Sequence, residues 1–266
     1  MKILSQITPA ETLLIKNSNS LQLKDLMKFT FMDLLLKKVI EIKEINKRPH
    51  PLDTIVVKYT YVIAGKNFKK YKPKNHELIY LSPFGKNISL QILFKHFIQI
   101  AHDYANSNWK YKKLTRSNQE INKYFKQAFW PNLFRINKLT KNGIILKNEI
   151  SSYLNGIDED IDNLLNNDTA KALKLLLSIG GNIFLLKNLD FQLLKHIDKE
   201  LINQQKLLDG DNYDTDSDWW LYMDFFEDDN MFDSYFDSFD DTIDSFDSEF
   251  DTSDCSSCDS GCDGCD

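Results

Sequence analysis

The sequence predicts a mainly α-helical protein with short β-hairpins, followed by an acidic segment of different physical character. Three observations predict it. Apolar residues recur at helical spacing through most of positions 1–206. A β-branched, tyrosine-bearing pair of runs flanks one proline-broken turn. Charge is also split along the chain: residues 207–266 hold 21 Asp or Glu and no Lys or Arg. That leaves 18 acidic against all 33 basic residues in 1–206, a body of +15 joined to a tail of −21 within a chain of 266 residues and net charge −6. Hydrophobic residues at 42% and aromatics at 12% are enough for a packed core. All four cysteines lie in the tail, so burial and not a disulfide framework has to hold the body together.

Each element follows from local chemistry. Thr8-Pro9-Ala10-Glu11 starts a helix: a hydroxyl cap, proline in the first turn, and a carboxylate placed to reach back to the cap amide. That helix ends near Lys16, and Asn17 to Ser20 is a polar break. Leu21 to Lys38 reads as one or two helices, with Leu23, Leu26, Met27, Phe31, Leu34 and Leu35 as the apolar stripe. Val39, Ile40, Ile42 and Ile45 favour strand, Arg48-Pro49-His50-Pro51 turns, and Ile55 to Ile63 returns as a second strand. Helices followed by a hairpin are the order of a winged helix, expected over 1–80.

A second, less regular helical or winged module is expected over 81–148. Leu90, Leu93, Phe94, Phe97, Ala101 and Tyr104 mark one helix face. Ser117 and Glu120 form a capping box before Ile121, Tyr124, Phe125, Ala128 and Phe129, which Pro131 stops. Phe134 to Thr140 suggests a short strand, and Asn142-Gly143 a turn. A helical segment is expected over 149–208. Ile150, Leu154, Ile157, Ile161 and Leu164 form its seam, Asp168 caps a helix to about Ser178, and Asp190 caps another from Phe191 to about Leu208. The seam spans about two heptads, short of the three to four a coiled coil needs, so intramolecular packing is expected.

On these residues a likeness can be stated. The Leu21–Lys38 segment with its hairpin, and the Leu139-Thr140-Lys141-Asn142-Gly143 turn leading into a helix, resemble winged-helix modules. The whole arrangement is similar to uncharacterised bacterial proteins with helical N-terminal regions and low-complexity tails ending in repeated Cys and Gly. The resemblance implies a fold and no site residues.

Two basic clusters in the body mix charge with aromatics. One spans 66–74, with Lys66, Lys69, Lys70, Lys72 and Lys74 around Phe68 and Tyr71; the other is Lys110, Lys112 and Lys113 beside Trp109 and Tyr111, with Arg116 beyond. Lysines neutralise phosphates and aromatic faces stack on unpaired bases, so nucleic acid or an acidic protein is the expected partner. The competing reading is plain solvated surface. Residues Thr30 to Lys38 would be the recognition helix of a winged helix. Phe31, Met32, Leu34, Leu35 and Leu36 make that segment look buried instead.

The tail carries 12 of the 33 aromatics, among them Trp219, Trp220, Phe232, Tyr235, Phe236, Phe239 and Phe246. Its closely spaced carboxylates repel, so 209–266 is expected to be disordered in isolation. Its aromatics are sticky points able to grip a basic surface, and the nearest one is the chain's own body, held at high effective concentration by the tether. Intramolecular docking and autoinhibition are the expectation; a merely solubilising tail is the alternative.

Cys255, Cys258, Cys262 and Cys265 make C-x2-C-x3-C-x2-C. Paired thiolates suit zinc or an iron–sulfur cluster, although the short spacer leaves no fold between the pairs. Reactive or modifiable thiols, and inert solvated ones, are the other readings. No cofactor is expected for the body. His50, His76, His96, His102 and His196 show no ligand spacing, Gly180-Gly181 lacks the Lys-Ser or Lys-Thr of a phosphate loop, and no nucleophile–base pair is present, so no enzyme is expected. Met1 to Asn19 reads as no secretory leader, and no apolar run is long enough to span a bilayer, so a soluble cytoplasmic protein is expected. The working function is a non-enzymatic binding or scaffold protein whose basic body engages an anionic partner and whose tail autoinhibits. The alternative is a carrier presenting its Asp/Cys end for metal binding or modification, and a third reading lays basic helices on an anionic membrane. The sequence leaves the oligomeric state open.

Overall fold

The computed structural model describes residues 1–18, 20–48, 50, 54–126, 138–188 and 231–250. A 3-10 turn at Lys2–Ser5 leads to α1, Pro9–Asn17. Its capping box forms as the sequence predicts: Glu11 N–H donates to the Thr8 hydroxyl and Thr8 N–H donates to the Glu11 carboxylate. Residues 21–38 give a single helix, α2 at Leu23–Leu36, with Phe31, Met32, Leu34, Leu35 and Leu36 all buried. That burial removes Thr30–Lys38 as a groove-reading helix.

Strands β1, Ile40–Lys47, and β2, Val57–Ala64, form the expected antiparallel hairpin, with Ile45 opposite Tyr59 and Lys43 opposite Tyr61. Two features fix its base. Lys38 adopts a left-handed φ of 48°, which turns the chain out of α2. Gly65 lets the backbone close on it, since a Cβ there would lie 2.3 Å from the Lys38 carbonyl oxygen. After α3, Leu78–Lys86, strand β3 at Gln91–Leu93 adds to β2, giving the sheet order β1-β2-β3. The third strand therefore lies beyond residue 80, on the far side of the expected module limit.

Next come α4 at Phe94–Ala105, α5 at Asn108–Arg116 and the one-turn α6 at Gln119–Asn122. Ser117 does not cap α6. Its hydroxyl turns back to Leu114 O at the end of α5, and Asn118 takes the cap by accepting from Glu120 N–H. Tyr104, expected on the buried face of α4, is exposed. The helix expected to run on through Tyr124 and Phe125 instead ends at Asn122, because Phe125 pairs with Leu139, while Ala128, Phe129 and the start of the strand from Phe134 lie outside the described residues. What is seen of that region is a single bridge between Phe125 and Leu139. Asn142-Gly143 is no turn but the first turn of α7, Lys141–Asn167, whose cap is Thr140 accepting from Gly143 N–H. Glycine is needed there, because a Cβ would meet Tyr124 O at 2.3 Å. Helix α7 runs without a break through position 148. Leu146, Ile150, Leu154, Ile157, Ile161 and Leu165 are its buried stripe. Asp168 then caps α8, Thr169–Ile179, as predicted. Asp190 and its helix lie outside the described residues.

Part of the tail, expected to be disordered in isolation and to dock on the body, is helical where it meets the body. Met231–Phe250 is a helix, and its apolar side joins the body's core. One apolar cluster runs from Leu4 through the tail's Phe246. No helix among the described residues is long and apolar enough to cross a membrane.

The core also contains ionised groups, each with a partner. Glu11, fully buried, accepts from Lys74 Nζ at 2.6 Å and from Asn118 Nδ2 at 2.8 Å. Asp33 pairs with Lys37 at 2.6 Å, and Tyr71 donates to Glu77 at 2.8 Å. Burial opposes the charge on Lys37, but Asp33, Tyr71 and Glu77 outweigh it and hold its pKa above the usual lysine range. Burial raises the Glu77 carboxyl. Gly181 packs on Asp33, where a Cβ would lie 2.0 Å from Oδ1.

Two expected outcomes follow from this packing. Gly181→Ala should cost about 1–3 kcal/mol by overpacking, whereas Gly156→Ala, with open space around it, should stabilise mid-helix α7 by about 0.5–1 kcal/mol. Urea unfolding of the two variants checks both signs. His76, sealed in the core against the Thr8 hydroxyl at 3.2 Å, has its pKa lowered to about 3 by burial first and then by Lys74 and Lys37. The folded chain keeps it neutral while the unfolded chain takes up a proton, so stability is lost as pH falls below about 6.5, at up to about 1.4 kcal/mol per pH unit. Urea midpoints between pH 7 and 5.5 should fall for the parent chain and flatten in His76→Gln.

Candidate functional site: a groove filled by the chain's own acidic helix

The tail helix presents Tyr235, Phe239, Ile243 and Phe246 on one side, and all four are buried. Their spacing of four, four and three residues is one helical face. Ser234, Asp237, Asp241 and Asp244 point outward and are exposed. Alone, this segment should be a poor helix. It has no basic residue, and Asp237/Asp241 and Asp240/Asp244 are like charges at i,i+4.

The body supplies what the segment lacks. Lys24 meets Asp244 at 2.8 Å and Lys28 meets Asp240 at 2.7 Å. Lys24 and Lys28 are themselves i,i+4 on α2, so two like-charged pairs neutralise each other across the interface. The numbering also gives the direction. As α2 advances from 24 to 28 to 31, its partners retreat from 244 to 240 to Phe239, whose ring lies 5.5 Å from Phe31. Tail and α2 are therefore antiparallel. Against α4 the order ascends: Phe94 stacks with Tyr235 at 6.0 Å, and His102 meets Phe246 at 6.1 Å. Lys95 Nζ also stands 5.9 Å from the Phe246 ring. The tail helix thus lies in the groove between α2 and α4. At one end the Tyr235 hydroxyl reaches Glu44 of β1.

Electrostatics and packing have separate shares. The hydrogen bond that Lys24 donates to Asp244 raises the Lys24 pKa, with the same carboxylate's charge adding to it. Asp244 is 59% exposed on its side chain, so the Lys24 pair contributes under about 1 kcal/mol. Lys28 and Asp240 are more enclosed, at 14% and 31%. The buried rings carry more: each fully buried aromatic or aliphatic side chain contributes about 1.5–3 kcal/mol. Carboxylates set the register, and rings hold the helix down.

The residues singled out from sequence lie elsewhere. Lys66, Lys69, Lys70 and Lys72 are exposed in the segment after β2. Lys74 is half-buried, turned inward to Glu11 and Gln6 O. On α5, Lys110 and Lys113 are exposed, with Lys113 over the Trp109 ring at 5.5 Å. Lys112 is buried, donates to Ser18 O at 3.4 Å and has its pKa lowered by burial. Arg116 is half-buried against the Phe125 ring at 5.8 Å. The two clusters meet at one point: Asn75 Nδ2 donates to Ser117 at 2.7 Å, beside a cleft of about 190 Å³ lined by Lys74, His76, Leu114 and Asn118. Neither cluster supplies an ion pair seen on the tail helix. The lysines that do, Lys24 and Lys28, were not singled out, although their spacing next to Phe31 and the 4-4-3 apolar spacing of the tail were both visible in the sequence. Cys255, Cys258, Cys262 and Cys265 lie outside the described residues. Among the described residues no group of three or more His, Cys, Asp or Glu is placed to hold a metal ion.

No family model, no curated protein and no solved structure matches this chain.

Phe239→Ala removes the ring that meets Phe31 and should cost about 3–5 kcal/mol of local stability. Amide hydrogen exchange is expected to lose protection across 231–250 while α2 and α4 stay protected. Asp244→Asn should change that protection by under about 1 kcal/mol.

Proposed function

We propose that the body is a non-enzymatic binding module whose α2–α4 groove takes an acidic, aromatic helix, and that the chain's own tail is its intramolecular, autoinhibitory occupant. The observation that supports this most is the paired register of Lys24 with Asp244 and Lys28 with Asp240 beside buried Phe239. An outside acidic protein would use the same two lysines and the same aromatic floor, and would have to displace the tail first. On this reading the exposed lysines of the two clusters act at longer range, drawing an acidic partner toward the body. The hairpin after α1 and α2, read as a wing of a winged-helix module, stands beside the groove as an arm.

The tether favours the tail. Belonging to the same chain gives an effective concentration on the order of 1 mM, so a partner of micromolar affinity competes only when the tail is weakened. The test titrates a labelled peptide of residues 231–250 into the parent full-length chain and into full-length Phe239→Ala/Ile243→Ala. The weakened chain should bind the peptide at least about tenfold more tightly than the parent, and adding Lys24→Glu/Lys28→Glu should abolish the gain. Equal, negligible binding by both chains would overturn the proposal.

A further inference from the structure

The hairpin carries a second surface, on the side away from the groove. Side chains alternate along a strand, and Val62, Ile42 and Ile92 face the core. Tyr59, Tyr61 and Ile63 of β2, with Lys43, Ile45 and Lys47 of β1, therefore share the opposite face, and none of them packs against the buried core. Glu44, which the Tyr235 hydroxyl reaches, belongs to the inner set. This outer face is therefore distinct from the groove, and the argument for it is independent of the tail helix.

We infer that Tyr59 and Tyr61, flanked by Lys43 and Lys47, form a stacking platform for single-stranded nucleic acid. The two rings are half-buried, with centroids 6.5 Å apart and planes at 33°. They stand side by side at alternate positions of one strand, as tilted neighbours. Each ring can carry a base of its own. Rings on a sheet surface suit any base, because every base has a π-face, and single strands leave those faces free.

The charge around the rings points to the same class of ligand. Lys43 and Lys47 are exposed, and no carboxylate pairs with either among the described residues; Lys47 Nζ instead stands 5.4 Å from the Tyr61 ring. The two acidic residues of the hairpin's strands are already engaged, Glu44 by Lys58 and Glu41 by the backbone N–H of Lys66. Glu41 shares the outer face, so that last contact places the start of the basic segment with Lys66, Lys69 and Lys70 at the base of the platform. Arg48 follows β1 at the other end. An eight-residue strand spans about 26 Å, room for about four nucleotides, the lower end of single-strand site sizes. An acidic peptide would meet the same lysines but gains little from flat, polar-tipped rings without a groove.

The experiment is fluorescence anisotropy with the full-length chain, a labelled oligothymidine or oligouridine of about twelve nucleotides, and a duplex of equal length. The single strand should bind in preference to the duplex. Tyr59→Leu/Tyr61→Leu should weaken it by at least about tenfold, while Tyr59→Phe/Tyr61→Phe, which keeps the rings, should retain binding. Lys43→Gln/Lys47→Gln, two exposed positions that leave the fold alone, should lower the slope of log affinity against log salt by about 1.4. The inference is overturned if the parent chain ignores the single strand, if duplex binds equally well, or if the leucine variant binds as the parent does. Phe239→Ala, which weakens only the groove, should leave the tyrosine dependence intact.

Discussion

The ring of Phe31 is the point on which the rest of the structure closes. It stands 5.9 Å from Tyr80 of α3, 5.7 and 6.2 Å from Phe94 and Phe97 of α4, and 5.5 Å from Phe239 of the tail. Tilted and edge-to-face contacts of this kind add about 0.5–1.5 kcal/mol each beyond area burial. One side chain of α2 therefore ties the body's interior to the floor of the groove.

A second constraint is the fate of the body's charge. A basic excess suggests a uniformly positive surface, but part of it is spent inside. Lys74 neutralises buried Glu11, Lys37 neutralises Asp33, and Lys112 is drawn under α5. A buried carboxylate without such a partner would be strongly destabilising. Glu11 is buried because its reach back to the Thr8 amide points it into the space between α1 and the segment before α3. The same capping box that starts a helix therefore recruits a lysine from a distant cluster.

Elements whose cause is local were legible in the sequence. Thr8 and Asp168 cap where their spacing says, and the alternation of Val, Ile and Tyr gives the hairpin. What escaped depends on neighbours in space. Ser117 loses its cap to Asn118 because it has a nearer acceptor at the end of α5. Asn142-Gly143 looks like a turn until Tyr124 O closes on Gly143 and demands glycine in a helix. The helix at 231–250 is what the tail's sequence did not announce. Its carboxylates argue for an extended chain when considered alone, and only Lys24 and Lys28, more than two hundred residues away, turn the like-charge penalty into a register. The 4-4-3 spacing of its apolar residues was present in the sequence; the groove that gives it meaning was not.

The pairing of groove and tail has an evolutionary corollary. A groove and the helix that fills it, written in one gene, are inherited together, so a change at Phe31 or Lys28 can be matched by a change at Phe239 or Asp240 in the same molecule. The fit between groove and tail helix is then kept by selection on a single chain.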